Sequence, residues 1–179
     1  MLKYFYAMLV VKSILSSTEA YETRIEDFIL VAKENRRKTL SMYLGGVVIE
    51  CFLKKLLVQK YNIAGRKGIK YWYDLNIIEE LSEKGNVLKE EYKEKRIMDN
   101  PYHDYSKALE LLGLSDNLPE NIENKIKLVY NPLKQEKTDF TDLRYRAEKD
   151  IETEEFEEWL ASFREVHNWI NDQKQRIED

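Results

Sequence analysis

The stretch from Ser41 to Leu57, S-M-Y-L-G-G-V-V-I-E-C-F-L-K-K-L-L, most constrains what this chain can fold into, because at helical pitch it is apolar on almost every side. Steps of about 100° from Tyr43 put Tyr43, Val47, Glu50, Lys54, Leu57 and Tyr61 on one face. Leu44, Val48 and Cys51 lie beside them, and Ile49, Phe52 and Leu56 opposite. A helix of this kind is central and buried, so the remaining segments have to pack around it. Gly45 and Gly46 each cost about 1 kcal/mol relative to Ala inside a helix, and their presence predicts another backbone packed closely there.

Glu50 breaks the apolar surface, and a carboxylate on such a helix needs a partner. Lys54, four positions on, is the local one. Arg144 is the distant one, because a planar guanidinium can satisfy both carboxylate oxygens and so anchor an irregular segment to the central helix. Two readings of the Glu50–Lys54 pair stand: an ordinary ion pair at a helix edge, worth under about 1 kcal/mol, or a buried contact that fixes helix register or lines a site.

A chain of 179 residues is long enough for one domain with a real core and cramped for two. Its 29 basic and 33 acidic residues leave a net charge of −4, which excludes a nucleic-acid binder that works by global positive charge and leaves a local basic patch open. Cys51, the single cysteine, excludes an internal disulfide and a cysteine-based zinc site and reads as a small buried hydrophobe. With two histidines there is little material for a transition metal, so no metal or cofactor is expected. The N-terminal apolar run is interrupted by Lys12, poorly formed as a signal peptide and too short to span a bilayer. A helix packed on the core and a cytoplasmic protein without membrane contact are the expectation.

Six glycines, three prolines and the absence of repeats or low-complexity linkers favour helices throughout. The periodicity predicts helices over about Leu2 to Leu15, Glu19 to Glu34, the central stretch to Tyr61, a short one capped by Asp74, a charged one from Val87 to Met98, then Asp104 to Leu112 and Glu120 to Tyr130. Asn131 to Ile151 loses its period and is expected to be a long connection. A final helix from near Thr153 places Phe156, Trp159, Leu160, Phe163, Val166, His167 and Ile170 in one stripe, with Trp169 off its centre. That stripe is rich for a lone surface helix and motivates a homodimer. His167 on it reads as a satisfied core or interface histidine. Between Arg66 and Tyr73, basic and aromatic residues interleave in a manner that suits nucleic acid, with Arg66, Lys70 and Trp72 as contacts, although a surface loop pinned by its aromatics is the plainer reading.

Three pieces in order, Tyr43-Leu44-Gly45-Gly46-Val47-Val48-Ile49-Glu50-Cys51-Phe52-Leu53-Lys54, then His103-Asp104 before Leu109-Glu110-Leu111-Leu112-Gly113-Leu114, then Arg144-Tyr145, resemble the HEPN (higher eukaryotes and prokaryotes nucleotide-binding) superfamily. The resemblance covers roughly 19 to 170, with the core at about 19–61 and 102–172 and an extra helical insertion at about 62–100. It implies a single all-α domain, an up-and-down helical bundle, often dimeric, that works on or near RNA or nucleotides. Such domains act beside a nucleotidyltransferase or in toxin–antitoxin and phage-defence systems. The matching positions imply contacts at Glu50, Lys54, His103, Asp104, Arg144 and Tyr145.

Active members of that family resemble one another as metal-independent ribonucleases with Arg, four to six residues, then His, where His moves protons and Arg stabilises the phosphate. Arg164-Glu-Val-His167 has too few intervening residues, and Arg96 to His103 contains Pro101 and lies before the Leu-rich helix. The leading expectation is therefore a non-catalytic HEPN-like domain that binds RNA, a nucleotide or a partner protein. A metal-independent endoribonuclease using His103 or His167 with Arg96 or Arg164 is the alternative, and a non-catalytic dimeric scaffold the third.

Overall fold

Apolar residues around most of the central segment require it to be covered, and the computed structural model, which describes residues 19, 21–33, 37–61, 71–73, 96–99 and 101–178, is an all-α fold organised around it. Among the described residues the helices are α1 (21–32), α2 (Lys38–Lys60), α3 (Tyr105–Leu112), α4 (Glu120–Tyr130) and α5 (Thr153–Glu178). Helix α2 is the hub: α3, α4, α5 and a 3-10 helix at Phe140–Tyr145 all pack on it. Its buried residues Met42, Val48, Ile49, Phe52, Leu53, Leu56 and Leu57 cover about half of its circumference, and the side carrying Tyr43, Val47, Glu50 and Lys54 is half-buried.

Both glycines of α2 permit close approach, as expected, but what approaches is aromatic side chain rather than backbone. A Cβ on Gly45 would stand 2.4 Å from the Trp159 ring of α5, and one on Gly46 would stand 2.3 Å from Cγ of Phe140. The segment 131–151, expected to be a bare connection, is built structure. Asp139 caps the 3-10 helix by accepting from Thr141 N at 2.7 Å, the Asp142 carboxylate accepts from Asp139 N at 2.9 Å, and Phe140 and Leu143 are buried in the core. Its period is three rather than 3.6 residues, which an α-helical pattern search passes over.

Local chemistry explains both ends of α3. Asp104 caps α3 by accepting from Lys107 N at 3.0 Å, and Gly113, with φ 73°, closes it in the left-handed region that favours glycine. Helix α2 has no acid in its own first turn. The carboxylate that accepts from Thr39 N, at 3.0 Å, comes from Glu148, while Lys38 Nζ donates to the Ile151 carbonyl at 2.5 Å.

Two expectations change. Tyr71–Tyr73 and Arg96–Asp99 are short parallel strands, β1 and β2, so Arg96, Ile97 and Met98 are extended rather than the end of a charged helix, and the basic and aromatic run is a strand where it reaches Trp72. The aromatic and β-branched content of Y-W-Y and R-I-M-D favours this pairing over helix. The aromatic stripe of α5 is also not a dimer face: Phe156, Trp159, Phe163, Val166 and Ile170 are buried within the chain's own core, against α2 and α4. The expected helix over 2–15, the Asp74-capped helix, and Arg66 and Lys70 lie outside the described residues. Among the described residues no helix is long and apolar enough to cross a membrane.

Candidate functional site

The half-buried edge of α2 carries Tyr43, Val47, Glu50 and Lys54, and the site grows from it. Glu50 Oε1 accepts from Lys54 Nζ at 2.6 Å, and Glu50 Oε2 accepts from His103 Nδ1 at 2.7 Å. The carboxylate is 12% exposed and Lys54 15%, whereas the imidazole is 56% exposed. Lys54 balances the Glu50 charge and His103 bonds its second oxygen, so each carboxylate oxygen has a partner. In the neutral imidazole this bond places the proton on Nδ1 and leaves Nε2 as an acceptor on an accessible ring. Backbone geometry supports the placement: Tyr102, just before His103, has φ 51°, a left-handed conformation that bulky residues rarely adopt. The Phe140 ring meets the imidazole edge-on at 6.0 Å.

Contrary to expectation, Arg144 does not bond Glu50, whose carboxylate has Lys54 and His103 as its partners. Its Nε donates to the Thr141 carbonyl at 2.8 Å, and its guanidinium lies 5.9 Å from the Tyr43 ring centroid and 5.6 Å from that of Tyr145. Tyr43 is two turns from Glu50 on one face of α2, about 10 Å along the axis. Arg144 therefore borders the same surface, as a cation between two aromatic rings. Tyr145 is 81% exposed.

The other sequence candidates separate from this surface. Asp104 is a helix cap. Arg96 and Trp72 belong to the strand pair. Arg164 faces solvent, while His167 turns inward, where its Nε2 and the Tyr21 hydroxyl share a hydrogen bond at 2.9 Å between the rings of Phe52 and Phe163. The two side chains thus face different surroundings, and His167 is half-buried with a hydrogen-bond partner. Burial and, second, Glu50 push the Cys51 thiol up to about 11, which removes it as a nucleophile. Tyr105, fully buried, is held well above the ordinary phenol range by burial, and its hydroxyl donates to the Gly46 carbonyl at 2.5 Å. Sequence reasoning missed Tyr43 and Phe140 as parts of the site. Tyr43 carried a signal, its shared face with Glu50, whereas Phe140 carried none.

Burial lowers the His167 value below the ordinary 6.5. As pH falls below about 6.5 the unfolded chain binds a proton that the folded protein resists, so stability falls with pH there, and above that value both states are neutral and the effect vanishes. His167→Gln, which keeps a hydrogen-bonding group beside Tyr21, is expected to flatten the stability profile below about pH 6.5 in urea denaturation. An unchanged slope would mean that another group titrates.

Compared with known protein families, curated proteins and solved structures, the chain matches none.

Proposed function

We propose that this chain is a HEPN-like helical domain that binds single-stranded RNA on the surface formed by Tyr43, Glu50, His103, Arg144 and Tyr145. The observation that carries the reading is Arg144 between Tyr43 and the exposed Tyr145. An exposed aromatic face stacks on a base of any sequence, and the guanidinium beside it meets phosphate. Of these, Glu50, His103, Arg144 and Tyr145 are also positions that the HEPN resemblance implies as contacts. Net charge of −4 fits local rather than global attraction.

Fluorescence anisotropy with a labelled mixed-sequence oligoribonucleotide tests this. Tyr145→Ala is expected to weaken binding about 5- to 100-fold, the range for one stacked base, with stability unchanged to within about 0.5 kcal/mol. Arg144→Ala should weaken binding comparably and, being exposed, cost under about 1 kcal/mol of stability. Equal affinity in both variants would remove the surface from the reading.

The Glu50-held imidazole favours a second reading, a metal-independent ribonuclease in which His103 Nε2 moves a proton. EDTA-resistant cleavage abolished by His103→Asn would select it over binding alone.

A further inference from the structure

A cleft of about 770 Å³ lies beside the 3-10 helix, lined by Lys127, Tyr130, Asn131, Lys134, Gln135 and Lys137 among others. Its wall is held in place locally. Asn131 Nδ2 donates to the Gln135 carbonyl at 2.7 Å, and the Thr138 hydroxyl lies 2.9 Å from both Asn131 Oδ1 and that carbonyl. Lys134 and Lys137 both adopt positive φ, 53° and 60°, so this wall presents them from a conformation that non-glycine residues seldom take. The C-terminal end of α4 attracts cations and accounts for one lysine by itself. Three lysines exceed that need.

Charge at the cleft is exchangeable. Lys127 pairs with Glu123 at 2.6 Å and Lys134 with Glu158 at 3.3 Å, and all four side chains are largely solvent-exposed, so these pairs hold little and can yield to phosphate. Of the two acids in the lining, Glu136 and Asp139, the second is engaged as the cap of the 3-10 helix. Arg146 donates to Gln135 Oε1 at 2.9 Å, which sets a fourth cation on the rim. Arg146 directly follows Tyr145, so the stacking surface and the cleft adjoin.

We infer that the cleft carries the sugar-phosphate backbone of the strand whose base stacks on Tyr145, the strand passing over Arg146 to Lys134 and Lys137. The inference rests on the RNA-binding reading and extends it from one stacking contact to a strand path.

Salt dependence separates the two. For single strands each neutralised phosphate contributes about −0.7 to the slope of log affinity against log salt. The full-length double variant Lys134→Asn/Lys137→Asn removes two charges with a residue that tolerates left-handed backbone, and it should lower affinity for the oligoribonucleotide roughly tenfold and make the slope shallower by about 1.4. Lys127→Gln gives an independent measurement, shallower by about 0.7. Tyr145→Ala should lower affinity with the slope unchanged. A wild-type slope in both lysine variants overturns the strand path while the Tyr145 result leaves the RNA surface standing. Absence of binding by the unaltered chain overturns both. Inorganic tripolyphosphate that binds the unaltered chain but not the double variant, and that leaves the strand bound, assigns the cleft to free polyphosphate instead, and overturns the path.

Discussion

Val48→Asp is expected to yield no soluble folded protein. Val48 has no exposed surface and sits mid-helix in α2, between the packing surfaces of the core. An aspartate there has no charge partner and no water, and removes the apolar contacts as well, a loss of several kcal/mol set against a total stability of about 5–15 kcal/mol. Val48→Thr is the control, since its shape matches and its hydroxyl can bond back to the preceding turn of the helix. It should fold with a lowered melting temperature. Soluble yield and thermal circular dichroism read the outcome, and a well-folded Val48→Asp would place α2 outside the core.

Phe140→Ala is expected to cost about 3–5 kcal/mol, the usual range for a fully buried phenyl ring. The ring lies on Gly46 and within 5.6 Å of Tyr105 and 6.4 Å of Tyr130, centroid to centroid. Gly46→Ala alone should cost about 1–3 kcal/mol, because its methyl group overlaps that ring and the ring has no flexible end to swing away. In the Phe140→Ala background the overlap is gone, and the same change should be neutral or stabilising by up to about 1 kcal/mol through helix propensity. The sign reversal in a double-mutant cycle by urea denaturation is the informative quantity. Additive losses would mean that Gly46 serves some purpose other than seating Phe140.

Sequence periodicity identified the elements whose burial repeats at helical spacing. Helix α4 occupies Glu120–Tyr130 as expected, α5 starts at Thr153, and α3 follows its Asp104 cap. It failed where burial does not repeat. Phe140 and Leu143 are two core residues in a single 3-10 turn, too few to establish a period, so the segment resembled a connection. The site divides in the same way. Lys54 was legible as the partner of Glu50 because four positions in a helix fix a distance. His103 was legible only as part of a family pattern, and its bond to Glu50 spans 53 positions whose geometry no local rule fixes. The match of Arg144 to Glu50 rests on charge, the guanidinium fork and an irregular segment in need of an anchor. The arginine is committed instead to Tyr43, Tyr145 and its own turn, contacts that such matching does not weigh.

The bond between Glu148 and the start of α2 also orders events during synthesis. The central helix leaves the ribosome early, but the carboxylate at its N-terminus, the Phe140 ring over Gly46 and the Trp159 ring over Gly45 are encoded about 90 to 120 positions later. At about 5–20 residues per second, the interval before those partners emerge is on the order of ten seconds. Throughout it the helix has only α1 and, later, α3 to pack against, and the faces that will meet Phe140 and Trp159 stay uncovered. A nascent chain halted before residue 140 should therefore be held by a chaperone, whereas one released past residue 178 should not.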